Sequence, residues 1–420
     1  MNNPNTSLRK EIICPYCWVS YAPESSLWVS ESKEALSEPY LANVDEKVRF
    51  LPSRFSVNGL ALDEHGVRCH DLACPACHLL IPRDLLEVPS YMLSVVGTPS
   101  SGKSYFLASM VARLRNTLSE LGVGFRDSDG RLNEVIRGYE RKQFFSSEPD
   151  KPVALEKTEE QGKLYHEIIY NEDNVVTLPA PFFFTLNSLS SPNISPNASS
   201  SVVMTLYDNA GESFDVGKDN ENFKVTRHLA KSDAIMFLYD PTQERSFRLE
   251  CQRVSNDPQI TDDGPSRDER QELTLSHMID TTRRHAGLGR TEKCGRPIII
   301  VVTKADIWKP ILVGKQDFPE VVALNDNDQP EVNLGLIRKV SDATRNLLQS
   351  HARGIPTLAE GFSDNVTYIP VSATGTSPIA DLENASLKIR PRDIKPEWVE
   401  VPLLYALAMN PGNDIFRISR

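Results

Sequence analysis

One eight-residue segment restricts the fold of this 420-residue chain more than any other. Residues 97–104 fit the pattern GxxxxGK[ST], between an apolar run at 91–96 and an amphipathic run that extends to about Leu121. A strand, a glycine-rich turn and a helix in this order direct backbone amides and the helix N-terminus at a bound anion. The segment therefore predicts a loop that holds nucleotide phosphates in an α/β protein.

The residue types in this loop suit contact with phosphate. Glycine at 97 and 102 lets the backbone wrap closely around the ligand, and Lys103 can reach the β- and γ-phosphates. The hydroxyl of Ser104 is a ligand type that Mg²⁺ accepts. We expect nucleotide contacts from Gly97, Ser101, Gly102, Lys103, Ser104 and Tyr105.

Three further motifs follow, each directly after an apolar run of strand length. Because parallel strands end at the same edge of a sheet, we expect the motifs to meet the phosphate-binding loop there. They are DxxG at Asp208 and Gly211, TKxD at Thr303, Lys304 and Asp306, and SAT at Ser372 and Ala373.

In this order the motifs resemble those of the translation-factor and Ras-like P-loop GTPases. The resemblance implies a doubly wound, Ras-like α/β domain over residues 89–412 that binds GTP or GDP. It also implies that Ser104 and Asp208 hold Mg²⁺, while the amide of Gly211 senses the γ-phosphate.

The same resemblance assigns the base. The Asp306 carboxylate would accept two hydrogen bonds from guanine, a pair of donors that adenine lacks. Lys304 would cover one face of the base, and the Ala373 amide would donate to the guanine carbonyl. Thr303 stands where most members have asparagine.

Hydrolysis would involve Lys103 and Glu212 as catalytic residues. Glu212 follows DxxG where many Ras-like members place the glutamine that orients water, and its extra negative charge predicts slow turnover. An arginine could offset that charge. The candidates within this chain are Arg131, Arg137 and Arg227, and a partner protein is the other source.

Two insertions depart from a minimal domain. The first, at about 125–200, covers the switch region, where Thr158 and Thr177 are both candidates for the Mg²⁺-binding threonine. The second, at 242–296, predicts a charged helix near 267–285. Four of its apolar residues are spaced to pack on the sheet: Leu273, Leu275, Met278 and Ile279.

Four of the seven cysteines form two CPxC pairs, Cys14 with Cys17 and Cys74 with Cys77. Each short spacing lets both thiolates turn toward one ion, and two pairs complete the Cys₄ shell of structural zinc. The pairs resemble zinc ribbons, so we expect a zinc-ribbon module over 1–88. Replacement of one thiolate by Cys69 or His70 is the alternative. A closed shell has a structural role, and we expect its loss to leave the nucleotide site largely intact.

Composition restricts location and partners. The net charge of −11 argues against general nucleic-acid binding, which needs a basic surface. No apolar run approaches the roughly 18 residues of a membrane span, and the N-terminal sequence lacks the apolar core of a secretory signal. We therefore predict a cytoplasmic protein without membrane contact.

The combination of cysteine pairs, P-loop, DxxGE, a strand that ends in Asp240-Pro241, and TKxD resembles the bacterial double-GTPase family of predicted conflict or defence systems. The resemblance implies a GTP-hydrolysing regulatory switch with protein partners, among them a second GTPase, and with Mg²⁺ and Zn²⁺ as cofactors. The alternative is a catalytically weak, guanine-nucleotide-dependent scaffold that docks its partners through the zinc ribbon.

Overall fold

The computed structural model describes residues 8–35, 38–41, 46–98, 101–153, 164–170, 174–188, 201–208, 226–261, 268–314, 316–381, 386–412 and 414–420. Strands outnumber helices in these ranges. The strands are β1 (Ile12–Ile13), β2 (Ser20–Tyr21), β3 (Leu27–Val29), β4 (Arg49–Phe50), β5 (Leu72–Ala73), β6 (Leu80–Ile81), β7 (Ser90–Gly97), β8 (Val123–Asp127), β9 (Tyr165–Tyr170), β10 (Asn174–Pro179), β11 (Phe182–Ser188), β12 (Ser201–Asp208), β13 (Ala234–Tyr239), β14 (Ile298–Val302), β15 (Val322–Leu324), β16 (Pro330–Asn333), β17 (Val366–Pro370), β18 (Ile379–Asp381), β19 (Ser386–Lys388) and β20 (Arg417–Ser419).

The α-helices all follow β6 in the chain. They are α1 (Asp84–Glu87), α2 (Lys103–Glu120), α3 (Glu134–Phe144), α4 (His228–Lys231), α5 (Arg245–Cys251), α6 (Pro258–Thr261), α7 (Asp268–Ala286), α8 (Ala305–Val313), α9 (Leu334–His351), α10 (Gly354–Phe362) and α11 (Val401–Ala408). Within the ranges given above, no helix has both the length and the apolar character that a bilayer span requires.

A seven-stranded sheet occupies the centre, in the order β17-β14-β13-β7-β12-β11-β8. The first five strands are parallel, whereas β11 is antiparallel to both of its neighbours. All residues of β13 and β14 are buried, as expected for apolar strands covered on both faces. The carboxyl ends of the five parallel strands therefore meet at one edge.

Helices cover both faces of this sheet. On one face α2 and α11 pack against alternate strand residues, including Leu93, Val95 and Met236. On the other face α5, α7, α8 and α10 pack around Phe237, Ile300 and the fully buried Trp308. The expected α/β fold with a large central sheet is confirmed.

The N-terminal segment packs on the sheet as well. It contains the β1–β2 hairpin and a four-stranded sheet in the order β4-β3-β5-β6. A third apolar cluster joins this segment to Met92, Phe183, Val203 and Tyr207 of the central sheet. The segment thus shares a core with the larger body.

Two features differ from expectation. The first insertion builds the edge strand β8, helix α3 and the β9–β10 hairpin, whereas the sequence analysis predicted no regular elements for it. In the second insertion Leu275 and Met278 are buried, but Leu273 is 52% exposed. Two residues are about 200° apart on a helix, so Leu273 lies opposite Leu275. The predicted packing of Leu273 on the sheet was wrong.

Candidate nucleotide and metal sites

The phosphate-binding loop depends on its two glycines. A Cβ at Gly97, the last residue of β7, would lie 2.8 Å from the Ser101 Oγ and 3.0 Å from the Leu238 Cβ. Gly102 has φ +87°, a left-handed conformation that other residues rarely adopt, and it precedes Lys103, the first residue of α2. The predicted strand–loop–helix arrangement is present, although residues 99–100 lie outside the described ranges.

Lys103 and Asp208 face each other across this loop. The lysine Nζ lies 3.2 Å from the Asp208 Oδ1, and the two side chains are 8% and 0% exposed. Among the described residues, neither carboxylate oxygen of Asp208 accepts a hydrogen bond, and the buried hydroxyls of Thr98 and Ser101 also lack one. Buried polar atoms of this kind are costly unless a ligand pairs with them. The Lys103 ammonium and the two hydroxyls can donate hydrogen bonds to a phosphate, and the Asp208 carboxylate can bind Mg²⁺. These groups therefore fit a phosphate with its Mg²⁺.

The TKxD motif follows β14 at the same edge. The Thr303 amide donates to the Tyr239 carbonyl at 2.8 Å, and Lys304 adopts the left-handed conformation with φ +57°. This turn starts α8, so that Asp306 lies in its first turn. The buried Trp308 Nε1 stabilises this turn by donating a hydrogen bond to the Thr303 carbonyl at 2.9 Å.

Asp306 and Ser372, which belong to the two motifs predicted to contact the base, are hydrogen-bonded to each other. The Ser372 Oγ donates to the Asp306 Oδ1 at 2.5 Å and accepts a hydrogen bond from the Gly375 amide at 2.8 Å. Burial raises the pKa of Asp306 to about 6, and the Ser372 hydrogen bond opposes the rise. The arrangement presents a buried carboxylate that can accept hydrogen bonds from a planar ligand.

The loop that carries Ser372 and Ala373 is hydrogen-bonded to helix α2. The Ser109 Oγ of α2 donates to the Ala373 carbonyl at 2.6 Å, and the Gln143 Nε2 donates to the same hydroxyl at 2.6 Å. The position of the Ala373 backbone therefore depends on α2.

Sequence analysis missed the contribution of Asp240 to this site. Its Oδ2 lies 2.6 Å from the Lys304 Nζ, and the aspartate is fully buried. The other carboxylate oxygen accepts hydrogen bonds from the Thr242 amide and hydroxyl. The Gln271 side chain of α7 binds both the amide and the carbonyl of Asp240. A polar residue at the end of the apolar strand β13 was the available signal.

The four paired cysteines converge. The Sγ atoms of all four lie within 4.8 Å of one another. Two of these separations, Cys14 to Cys77 and Cys17 to Cys74, are 3.7 Å. A tetrahedral site with metal–sulfur bonds of 2.3 Å requires sulfur–sulfur separations of about 3.8 Å. The group therefore fits one zinc ion.

The two cysteine turns have matching backbones. The Cys14 amide donates to the Val19 carbonyl at 2.9 Å, and the Cys74 amide donates to the Leu79 carbonyl at 3.0 Å. Trp18 and His78, which follow the second cysteine of each pair, have φ near +60°. Cys69, an alternative ligand, instead places its Sγ 3.5 Å from the Val67 carbonyl.

The remaining predicted residues are those of the switch and hydrolysis motifs and the candidate arginines. Thr158, Gly211 and Glu212 lie outside the described residues, while Thr177 lies in β10. Of the candidate arginines, Arg131 pairs with Asp71 at 2.7 Å and Arg137 with Asp127 at 3.0 Å, whereas Arg227 precedes α4. Two of the three arginines are therefore already bound to carboxylates.

No protein-family model and no curated protein matches this sequence. Among solved structures, it is similar to the elongation factor SelB from Methanococcus maripaludis in complex with a GTP analogue, with 12% identity and a TM-score of 0.22 over 68% of this chain and 30% of that one. A bacterial selenocysteine-specific elongation factor, EF-Sec, matches with 13% identity and a TM-score of 0.24 over 71% and 28%. The GTP-bound Ski7 GTPase-like domain of S. cerevisiae matches with 13% identity and 0.25 over 68% and 43%.

This chain therefore spans less than half of the length of each of these structures. With TM-scores this low, the matches carry no functional argument for the chain. The chemistry of its own residues has to supply one.

We expect Gly375→Ala to lower the free energy of unfolding by about 1–3 kcal/mol. Gly375 has φ +64°, and a Cβ there would lie within 2 Å of the Lys395 carbonyl oxygen. The matched control is Gly361→Ala in α10, where a Cβ meets nothing within 4 Å. That change should raise stability by about 0.5–1 kcal/mol. Urea unfolding measures both, and equal effects would contradict the packing described for Gly375.

Proposed function

We propose that this chain is a Mg²⁺-dependent GTPase that works as a nucleotide-controlled switch. The observation that carries the proposal is one sheet edge, where the Lys103–Asp208 pair follows β7 and β12 and the Asp306–Ser372 pair follows β14 and β17. A loop with the Lys103 ammonium and the buried hydroxyls of Thr98 and Ser101 suits phosphates, and a buried carboxylate suits the paired donors of guanine. The two groups suit opposite ends of one nucleotide.

At the phosphate end, nucleotide would replace the contact between Lys103 and Asp208. The lysine would bind the β- and γ-phosphates, and Asp208 would turn its charge toward Mg²⁺ together with the Ser104 hydroxyl. Bound Mg²⁺ supplies positive charge beside the γ-phosphate. The loop hydroxyl of Ser101 is buried and accepts no hydrogen bond among the described residues, so it is available to a phosphate oxygen.

At the base end, Asp306 would accept hydrogen bonds from the guanine N1–H and exocyclic amine. Its partner Ser372 holds the carboxylate from one side. The buried Asp240 fixes the Lys304 ammonium, so that the aliphatic part of Lys304 can lie along the base. Adenine would leave the buried carboxylate without its donors.

For hydrolysis, we assign the orientation of water to Glu212 and the sensing of the γ-phosphate to Gly211, both on the sequence motif. Turnover without a partner should be slow, because a glutamate at this motif position would add negative charge near the phosphates. Arg131 and Arg137 already pair with aspartates. Arg227, which precedes α4, and a partner protein are therefore the favoured sources of an additional arginine.

We also propose that the four cysteines hold zinc and that the N-terminal segment is a zinc ribbon. Support comes from the tetrahedral sulfur separations and from the matching turns around the two pairs. On the combined motifs, we place the chain beside a second GTPase in a bacterial conflict or defence system. A conformational change that depends on the γ-phosphate is the signal that such a partner would read.

Base selectivity tests the proposed function. Asp306→Asn should weaken GTP binding by about 2–4 kcal/mol, because the amide nitrogen opposes the guanine amine. The same variant should bind and hydrolyse XTP, since xanthine carries a carbonyl where guanine carries that amine. Asp342→Asn, on the exposed side of α9, is the matched control and should leave both nucleotides unaffected.

Titration with labelled GTP, XTP and ATP, followed by single-turnover hydrolysis, provides the measurement. Wild-type protein that binds ATP as tightly as GTP would refute guanine recognition. Tight GTP binding without any turnover would favour a nucleotide-dependent scaffold over a GTPase.

Guanine nucleotide affinity should fall as the pH falls through 6. Burial raises the pKa of Asp306 to about 6, so below this pH the nucleotide-free protein carries a proton that must leave before guanine binds. The loss should approach about tenfold per pH unit after subtraction of the phosphate protonation measured on free GDP. The raised pKa also means that Asp306 favours folding below about pH 4 and loses this contribution as the pH rises through 6. A flat GDP affinity between pH 5 and 7 would contradict the assignment.

Purified protein should contain one zinc ion per chain. Cys17→Ala should lose it, because three thiolates leave the tetrahedral shell open. Cys69→Ala should keep it and serves as the control, since Cys69 is the alternative ligand. Elemental analysis of the two variants measures their zinc content. Zinc loss in Cys69→Ala alone would contradict the proposed set of four ligands.

A further inference from the structure

Tyr207 lies between the nucleotide site and the cysteine cluster. It directly precedes Asp208 at the end of β12, and its hydroxyl donates to the Pro15 carbonyl at 2.6 Å. Pro15 is part of the turn between Cys14 and Cys17. The tyrosine is 1% exposed, so this hydrogen bond is shielded from water. One buried side chain therefore joins the turn between Cys14 and Cys17 to the strand end that carries Asp208.

The Tyr207 ring is also fixed from the opposite side. It stacks on His228 with a centroid separation of 4.6 Å and an interplanar angle of 11°. The His228 Nδ1 lies 2.5 Å from the Ser94 Oγ of β7, and Ser94 is paired with Tyr207 in the sheet register. Burial lowers the pKa of His228 to about 3, so the ring is neutral. Tyr207 is thus held between the P-loop strand and the first cysteine turn.

Other contacts hold the cysteine turns against the sheet. Tyr16, which is also within the first turn, packs edge-on against Phe183 at 5.9 Å. Arg131 pairs with Asp71, three residues before Cys74, at 2.7 Å. The turns cannot rearrange without disturbing β11 and β12. These contacts favour an effect of the metal shell on the nucleotide site, whereas the sequence alone predicts that loss of the shell leaves that site largely intact.

We propose that metal binding at the four cysteines and nucleotide binding at the P-loop are coupled through Tyr207. The coupling rests on the proposed function, since it requires a nucleotide. A bound metal ion fixes the Pro15 carbonyl, which orients the Tyr207 hydroxyl and holds the end of β12. Asp208 then stays in position beside Lys103 for Mg²⁺ and phosphate. Because coupling is reciprocal, nucleotide also holds the metal more tightly.

The chain offers a matched control for this role. Tyr91, on the neighbouring strand β7, is 2% exposed, and its hydroxyl donates to the Ala406 carbonyl at 2.7 Å. It belongs to the apolar cluster on the other face of the sheet, away from the cysteine turns. Tyr91→Phe and Tyr207→Phe each remove one buried tyrosine–carbonyl hydrogen bond. Only Tyr207→Phe removes the bond to the metal-binding turn.

Zinc release tests the coupling in the zinc-loaded protein. Wild type and both variants are mixed with excess chelator, with and without saturating Mg·GDP, and the rate of zinc loss is followed by the absorbance of the chelator complex. In wild type, Mg·GDP should slow zinc release about fivefold, the equilibrium effect of one ordinary buried hydrogen bond. Tyr91→Phe should keep this factor. Tyr207→Phe should reduce it to near one while GDP still binds.

If nucleotide slowed zinc release only by stabilising the whole fold, it would slow release equally in both variants. That result would overturn the role of Tyr207, as would a wild-type protein whose zinc release ignores bound Mg·GDP. Binding of GDP is measured first by direct titration. Absence of any GDP binding would refute the proposed function and the coupling together, whereas GDP binding without an effect on zinc refutes the coupling alone.

Discussion

Parallel pairing of β7 with β12 and β13 is the constraint on which the rest of the molecule depends. Backbone hydrogen bonds fix the register, with Val95 opposite Asp208 and Gly97 opposite Leu238. A parallel strand must leave the sheet at its carboxyl end and return over a face, so every loop that carries a polar motif opens at the same edge. The apolar faces of the strands stabilise this arrangement, and the chemistry of the site occupies the edge that remains.

The edge carries charge that water does not screen. Lys103 pairs with Asp208, and Lys304 pairs with the fully buried Asp240. Removing two charges from water is expensive, and a buried pair repays that cost only with good geometry and further hydrogen bonds. Asp240 has these bonds from Thr242, whereas Asp208 accepts none among the described residues. The Lys304–Asp240 pair therefore has a fixed structural role, whereas the Lys103–Asp208 pair is suited to exchange partners.

Sequence alone predicted the parts of this structure that depend on local patterns. The apolar runs before Asp208, Thr303 and Ser372 became strands because β-branched and aliphatic residues pack well on both faces of a sheet. The CPxC pairs predicted the converging sulfurs. Strand β8 and the hairpin β9–β10 were missed because their mixed residues gain stability only from long-range pairing. The role of Asp240 and the contact of Tyr207 with Pro15 likewise join residues far apart in the chain, which no spacing rule can reveal.

The hydrogen bond from Ser109 to the Ala373 carbonyl has a kinetic consequence. Helix α2 starts at the phosphate-binding loop and, two turns later, supports the loop proposed to hold the base. A tilt of this helix would loosen both ends of a ligand together. The residence time of a bound molecule would then depend on the motion of helix α2 as a rigid body. A protein that bound to α2 and displaced it would release the ligand from both ends of the site in one step.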